Sequence, residues 1–325
     1  MRAIGCSAFA DPPVLRLGDL PIPSPGPGEV RLRVRAAGVN FADTLMVRGK
    51  YQAKPEFPFV PGMEMAGEID GLGAGVTGFA IGTRVLATAE HGAFAEFAIA
   101  RAADTVAIPD AMDYATAAAF PIVYGTAHGG LLWRANLQAG ETLLVLGAAG
   151  GVGLAAVEVG KAMGAIVYAG TSDDARGRLA MAHGADTAIN YATEDLRAVV
   201  RTLTRDKGID VVFDPVGGPA FDAALRAVAW EGRIVVVGFA AGAVPQIPAN
   251  LLLVKNAAAL GFFWGSYRRH DPARLQASLS TLIGWWQQGL LKPHVDARFK
   301  LADAVTALAH LTERKGTGKA VIEIA

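Results

Sequence analysis

The chain carries one cysteine, Cys6, in 325 residues. A single thiol makes no internal disulfide and no cysteine-rich zinc cluster, and a chain this long needs neither to build a core. Charge is scarce too: Asp, Glu, Lys and Arg make up 18% of the sequence, and 30 acidic residues cancel 30 basic ones. A net charge of zero with no basic stripe argues against a nucleic-acid partner held chiefly by charge. Hydrophobic residues reach 52%, which leaves little room for long disordered tails. Uninterrupted apolar runs are also missing. Three stretches, 114–133, 142–157 and 234–254, lack charge, but they are broken by Pro121 and His128, by a glycine cluster, and by Pro245, Gln246, Pro248 and Asn250 respectively. A spanning helix needs about 20 predominantly apolar residues, so these runs read as buried strands joined by turns. Met1 to Asp11 lacks the apolar core of a signal peptide. Together with the sparse cysteine, this gives the expectation of a cytoplasmic protein without membrane insertion.

At about 150 residues per domain the length suggests two domains. The first third is strand-and-turn material. Pro21, Pro23, Pro25 and Pro27, with Gly26 and Gly28, form a non-helical connector. Val30, Leu32, Val34 and Ala36 then alternate with Arg31, Arg33 and Arg35, the pattern of a half-buried strand. Short strands near 66–70, 83–88 and 93–99, separated by glycines, predict a barrel-like β module. From Glu141 onward the texture is strand–helix–strand. Strands are predicted at 142–146, 165–170, 187–191, 210–213, 233–237 and 257–262, with helices at 151–163, 173–183, 193–206 and 219–229. Near-continuous apolar strands alternating with helices mean a parallel sheet covered on both faces, in the doubly wound nucleotide-binding form. After residue 265 two helices, 273–289 and 301–313, precede a last strand at 319–324, and this tail is expected to return to the first module.

The strongest chemical signal is the run Leu143-Leu144-Val145-Leu146-Gly147-Ala148-Ala149-Gly150-Gly151-Val152-Gly153. It follows a strand and opens a helix, the context a dinucleotide fingerprint requires. Gly150 and Gly151 let backbone N–H groups approach a pyrophosphate, Gly153 lets the helix pack close, and the helix N-terminus favours an anion. Ala149 and Val152 lie within the same turn. Ala148 stands where the commonest version has a glycine, so the match is a variant. The segment Thr171-Ser172-Asp173-Asp174-Ala175-Arg176 bears on the choice of cofactor. Spacing from the glycines favours Asp173 as a ribose-binding carboxylate, and hence NAD. The neutral strand tip at Thr171 and Ser172, with Arg176 as a bidentate phosphate donor, favours NADPH. The second reading is preferred, with NADH as the alternative and capping of the next helix as the structural role for Asp173 and Asp174.

Over essentially its whole length the sequence resembles the zeta-crystallin-like NADPH:quinone oxidoreductases of the medium-chain dehydrogenase/reductase superfamily. The resemblance is carried by Pro25-Gly26-Pro27-Gly28-Glu29-Val30, Ala37-Gly38-Val39-Asn40-Phe41-Ala42-Asp43, Pro61-Gly62-Met63-Glu64-Met65-Ala66-Gly67, the glycine turn, Gly184-Ala185-Asp186 and Ile189-Asn190-Tyr191. One departure is Glu158, where the branch usually has Gln. The resemblance implies an α/β protein with a GroES-like β-barrel catalytic domain, residues 1–121 and 265–325, and a Rossmann NADP-binding domain, residues 122–264, with a cleft between them. It also implies roles residue by residue. Asn40 would stand beside the nicotinamide and Tyr51 would line the substrate site. Thr126, Tyr191, Gly238, Phe239, Phe263 and Arg314 would join Ser172 and Arg176 as cofactor contacts.

Zinc alcohol dehydrogenases of this superfamily have a ligand Cys where Asn40 stands and a His where Met63 stands. Amide and thioether are poor zinc ligands, and Glu64 alone makes no site, so no catalytic zinc is expected. Without a Lewis acid, nothing obvious stabilises an alkoxide. A quinone or activated enone is the easier acceptor, because conjugation spreads the incoming charge and the protein needs only to position it and donate hydrogen bonds. NADPH-dependent quinone reduction is the leading expectation. The alternatives are an enone or enoyl-thioester reductase, to which Arg268-Arg269-His270 would offer a basic entrance, and a non-enzymatic NADPH-binding protein. An exposed sixth strand at 257–262, together with the resemblance, implies a homodimer.

Overall fold

The alternation around Val30 resolves into one long strand, Glu29–Val39, whose residues Val30, Leu32 and Val34 are buried while Arg35 pairs with Glu68 at 3.0 Å. The computed structural model describes residues 1–313 and 316–325. They form two units: Met1–Ile122 with Arg268–Ser280 and Pro293–Ala325, and Val123–Tyr267 with Thr281–Lys292. The chain opens with β1 (Arg2–Cys6) and β2 (Leu15–Asp19), paired antiparallel, then β3 (Glu29–Val39), α1 (Phe41–Met46), β4 (Glu64–Leu72), β5 (Arg84–Thr88), β6 (Phe97–Arg101) and β7 (Thr105–Ala107). β3 pairs antiparallel with both β4 and β6. β6 begins at Phe97 rather than at 93, because the ladder with β3 runs only from Phe97 to Arg101. Gly67 permits the β3–β4 approach, since a Cβ there would stand 2.0 Å from the Arg33 carbonyl oxygen.

The stretch 114–133, expected as buried strand, is helical. It forms α2 (Tyr114–Ala118), α3 (Pro121–His128) and a π-helical turn at Gly129–Arg134. Asp113 caps α2 by accepting from Thr116 N, and Pro121 is a favourable first helical residue. A mostly buried, alanine-rich run without charges does not reveal its period, so the sequence pattern could not separate helix from strand.

The second unit continues with β8 (Thr142–Leu146), α4 (Gly151–Ala162), β9 (Ile166–Thr171), α5 (Asp174–Ala182), β10 (Thr187–Asn190), α6 (Leu196–Leu203), β11 (Ile209–Asp214), α7 (Gly218–Ala227), β12 (Val228–Val236), α8 (Ala249–Lys255) and β13 (Ala258–Gly261). The strands are parallel in the order β10-β9-β8-β11-β12-β13. This is the doubly wound arrangement, with its switch point between β8 and β11, where such sheets bind ligands at the strands' carboxyl ends. The stretch 234–254 is only partly strand: it ends β12, turns, and enters α8.

The remaining elements are α9 (Tyr267–His270), α10 (Pro272–Gln287), β14 (Val295–Lys300), α11 (Ala304–Thr312) and β15 (Lys319–Glu323). β15 lies between β14 and β3, and the first unit's main sheet runs β14-β15-β3-β4-β5-β7. Its core gathers Leu32, Val34, Met65, Ile69, Phe94 and Ile322, each at most 1% exposed. At about 1.5–3 kcal/mol per fully buried side chain, these contacts pin the C-terminal strand to the first module. Among the described residues no helix is long and apolar enough to cross a membrane.

Within the second unit a buried carboxylate ties its last segment in place. Glu158 on α4 is 3% exposed and accepts from Tyr124 Oη at 2.7 Å and from Lys292 N at 2.8 Å, while His183 Nδ1 lies 2.5 Å away. Nearby, His128 is buried and lies edge-on to the rings of Trp133 and Trp285. Burial pulls its pKa from 6.5 down to about 4, so the folded protein holds it neutral. Because the unfolded chain binds this proton more readily, His128 contributes stability that is full above pH 6.5 and is lost as the pH falls toward 4. Relative to His128→Phe, the wild type should lose about 2 kcal/mol of urea-unfolding free energy between pH 7 and 5. Parallel stability curves for the two proteins would show that His128 does not titrate in this way.

Candidate active site

Three strand ends meet at the first unit's polar cluster. The ladder sets Gly38 of β3 opposite Glu64, the first residue of β4, and Val39 opposite Ala320 of β15. Asn40, directly after β3, therefore lies beside Glu64 and Lys319. Its Nδ2 donates to Glu64 Oε1 at 2.8 Å, and its Oδ1 accepts from Lys319 Nζ at 2.8 Å. Lys319 Nζ also donates to Glu64 Oε1 at 2.6 Å and to the Val39 carbonyl at 2.9 Å. Glu64 Oε2 accepts from Ile122 N at 2.9 Å. Glu64 is fully buried, and Lys319 and Asn40 are nearly so. Gly38 makes room for this carboxylate, since a Cβ there would lie 2.3 Å from Glu64 Oε1 and 2.3 Å from the Ala118 carbonyl oxygen.

Asp43, in the first turn of α1, accepts from Asn40 N at 2.8 Å and fixes the backbone of that residue. It is fully buried, and burial outweighs the nearby Lys319 charge, pushing its pKa from 3.8 up to about 7. Tyr51 packs against the same core. Burial first and the Asp43 charge second push its phenol up to about 12. Tyr51 is thus a neutral O–H, a hydrogen-bond donor rather than a phenolate, throughout the usual pH range. Asn40 and Tyr51 were expected as site residues, and both neighbour Asp43. Lys319 gave no sequence signal, because a lysine opening a C-terminal strand looks like any surface lysine.

In the second unit the glycine turn lies at the sheet's switch point. Gly147 directly follows β8 with φ of +60°, and Gly150 is the N-cap of α4, with no capping side chain. The N-terminal N–H groups of α4 are therefore left to other acceptors. Gly153 is required by close packing: a Cβ would stand 2.2 Å from the Gly147 carbonyl oxygen. At Gly150 a Cβ would have only an ordinary contact, 3.5 Å, with that oxygen. Its bareness keeps space open above the helix terminus, which suits an approaching pyrophosphate. Ala149 is buried within the turn and Val152 is half-buried. Asp214, ending β11 across the switch point, is buried and accepts from Val216 N and Gly217 N at 2.8 and 2.9 Å. It shapes the opposite wall, a role the sequence did not flag.

The residues expected near the adenosine end gather at the tips of β9 and β10. Asp173 is the N-cap of α5, accepting from Arg176 N at 2.8 Å, and its carboxylate pairs with Arg176 Nε at 3.1 Å. Ser172 is exposed, and Tyr191 N donates to the Thr171 carbonyl at 3.0 Å. Gly238 and Phe239 follow β12; a Cβ on Gly238 would stand 3.2 Å from the Pro215 carbonyl oxygen. Phe263 is 48% exposed, whereas Phe262 and Trp264 are buried. Thr126 is half-buried on α3. Arg314 lies outside the described residues. The arginines considered as a basic entrance are engaged otherwise: Arg268 donates through Nε and an η-nitrogen to buried Asp104, at 3.0 and 2.8 Å, and Arg269 lies 3.8 Å from Glu90.

Comparison with known proteins agrees with this architecture. Residues 26–110 match the alcohol dehydrogenase GroES-like domain, and residues 151–282 match the zinc-binding dehydrogenase domain. The quinone oxidoreductase of Pseudomonas aeruginosa is 36% identical, covering 99% of this chain and 99% of that protein. The rat quinone oxidoreductase-like protein 2 is 42% identical, covering 90% of this chain and 83% of that one. Among solved structures, a mycobacterial protein complexed with NADPH superposes with a TM-score of 0.93 at 32% identity, covering 99% of this chain and 100% of that one. The Escherichia coli quinone oxidoreductase complexed with NADPH gives 0.92 at 27% identity, again covering 99% and 100%.

The zinc implied by the second domain's description does not fit the residues present. Zinc takes thiolate, imidazole or carboxylate ligands in a tetrahedral set. Here, of the two carboxylates beside Asn40, Glu64 is already bonded to the Lys319 ammonium and the Asn40 amide, and Asp43 accepts from the Asn40 backbone N–H. No group of three or more metal-binding side chains gathers elsewhere among the described residues. The fold, the glycine turn and full-length similarity above 30% identity agree on one conclusion: the chain belongs to the quinone oxidoreductase family of the medium-chain dehydrogenase/reductases and is an oxidoreductase.

Proposed function

We propose that this enzyme reduces quinones with NADPH and does so without zinc. The observation that carries this reading is the donor set around Asn40. A lysine ammonium stands among the groups a catalytic metal would need, and Asn40 and Tyr51 supply neutral hydrogen-bond donors instead. Such donors suit a conjugated acceptor, in which charge is already delocalised, better than an alkoxide.

In this reading the glycine turn and the N-terminus of α4 hold the cofactor pyrophosphate. Ser172, Arg176 and Tyr191 surround the adenosine 2′-phosphate, and Thr126, Gly238, Phe239 and Phe263 line the remainder. When bound, the reduced nicotinamide supplies hydride. Asn40 and Tyr51 orient the quinone and donate to the oxygen on which negative charge develops. The NADPH held by two structural neighbours supports this choice of cofactor. The Asp173–Arg176 pair is compatible with it, because the carboxylate is occupied in capping α5 and holding the guanidinium.

Chelator-treated enzyme should oxidise NADPH in the presence of quinones at the untreated rate. Tyr51→Phe should lower kcat by about tenfold while leaving the KM for NADPH unchanged, less than the two to three decades of a fully dry site because quinones are bulky and admit water. Activity that vanishes with chelation and returns with zinc would overturn the reading, and unchanged kinetics in Tyr51→Phe across several quinones would remove Tyr51 from the site.

Arg176→Ala should weaken NADPH binding by roughly 10- to 150-fold, the value of about 1.5–3 kcal/mol for a charge-assisted contact, and leave NADH nearly unaffected. Equal losses for both cofactors would place the 2′-phosphate elsewhere.

We further propose a homodimer formed through β13. This strand is the edge of its sheet, and the preceding α8 exposes Leu253 and Val254 at 77% and 68%. An unprotected edge beside apolar side chains invites pairing. Light scattering at micromolar concentration should give twice the chain mass; a monomeric mass would refute the dimer.

A further inference from the structure

We propose that Lys319 and Glu64 are positioning residues that lock the Asn40 side-chain amide in one of its two flip states, aiming its second Nδ2–H at the substrate oxygen. This rests on the reading of Asn40 as a donor to that oxygen. An asparagine amide is nearly symmetrical in shape, so only its partners decide which end is oxygen. A lysine ammonium can only donate, and Lys319 Nζ stands 2.8 Å from one end, which must be Oδ1. An ionised carboxylate can only accept, and Glu64 Oε1 stands 2.8 Å from the other, which must be Nδ2. The flipped amide would set N–H against ammonium and oxygen against carboxylate, two repulsions in a buried place where charge-assisted bonds are strong.

The hydrogen-bond accounting leaves one donor over. An ammonium has three protons, and those of Lys319 go to Val39 O, Asn40 Oδ1 and Glu64 Oε1. Glu64 is occupied at both oxygens, by Asn40 and Lys319 at Oε1 and by Ile122 N at Oε2. The Asn40 backbone is held as well, its N–H donating to Asp43 Oδ2 at 2.8 Å. What remains is the second hydrogen on Nδ2, on a residue that keeps 6% exposure. The ammonium on Oδ1 also draws electron density from the amide nitrogen, so this N–H is a better donor than an ordinary amide. Stability alone is a poor reason for the ion pair, because buried pairs can often be replaced by apolar residues at no cost.

A double-mutant cycle between Asn40→Ala and the paired change Glu64→Gln/Lys319→Met tests this. Asn40→Ala should lower kcat with quinone by about 10- to 100-fold, with the KM for NADPH unchanged. The paired change should lower kcat by a similar factor in the wild-type background. In the Asn40→Ala background it should cost no more than about twofold, because there is no amide left to position. Glu64→Gln alone carries the same comparison if the paired variant does not fold. An activity-free readout accompanies it: the Asn40 side-chain NH₂ resonances, assigned by their loss in Asn40→Ala, should exchange with solvent at least tenfold faster in the paired variant. Equal kcat losses in both backgrounds would show that the pair acts by holding the fold, and would overturn the positioning role while leaving Asn40 as the donor. Unchanged NH₂ exchange would overturn the lock directly. An Asn40→Ala enzyme with wild-type kcat would remove both readings.

Discussion

The buried ion pair between Lys319 and Glu64 is the constraint on which the first unit's polar face depends. The partners are 255 residues apart in sequence, so the pair joins the last strand to the start of β4. Removing both charges from water is costly, and mutual attraction offsets that cost only when every remaining proton and lone pair is satisfied. Here the ammonium has three acceptors and the carboxylate has three donor groups. The pair also explains local sequence. Gly38 is needed because any side chain would displace the carboxylate, and Asn40 is suited because an amide can accept from the cation and donate to the anion at once.

The second unit applies the same device at other places. Glu158 gathers Tyr124, His183 and the backbone of Lys292, and Asp214 ties down the turn after β11. In each case a buried carboxylate gathers backbone or side-chain donors, and for Asp214 the burial raises its pKa. Glu158, which in the sequence is only a Gln-to-Glu departure from the family's habit, thus joins α4, α5 and the segment after α10.

Much of the fold was legible because its signals are local. The period of β3, the strand–turn–helix context of the glycine run and the β-α alternation beyond Glu141 each follow from a short window of sequence. Helices α2 and α3 were not legible, because a run such as Ala117–Phe120 is small and apolar throughout and carries no period. The residues of the proposed site differ in how they could be read. Asn40 and Tyr51 stood out by family resemblance and Asp173 by the capping chemistry of the residue before a helix. Lys319 and its partner Glu64 depend on strand ends meeting across the sheet, and no window of sequence contains that meeting.

The charge balance of the cluster follows from the same packing. Lys319 and Glu64 cancel, so Asp43 has no cation to itself, and burial pushes its carboxyl up to about 7. That keeps a second negative charge away from Asn40 and Tyr51 below neutral pH. Tyr51 is held as a neutral phenol, with a pKa pushed up to about 12, partly by the same neighbour. A face that is neutral overall and offers N–H and O–H donors opposes neither the approach of an uncharged acceptor nor the negative charge that develops on its oxygen. A metal at this position would have concentrated positive charge on one atom. The lysine instead gives its charge to Glu64 and the Asn40 amide, and in the proposed reading it would reach the acceptor oxygen only through that amide. Stabilisation transmitted this way would be smaller than a metal's, which the proposed quinone substrate would tolerate because it delocalises most of the charge itself.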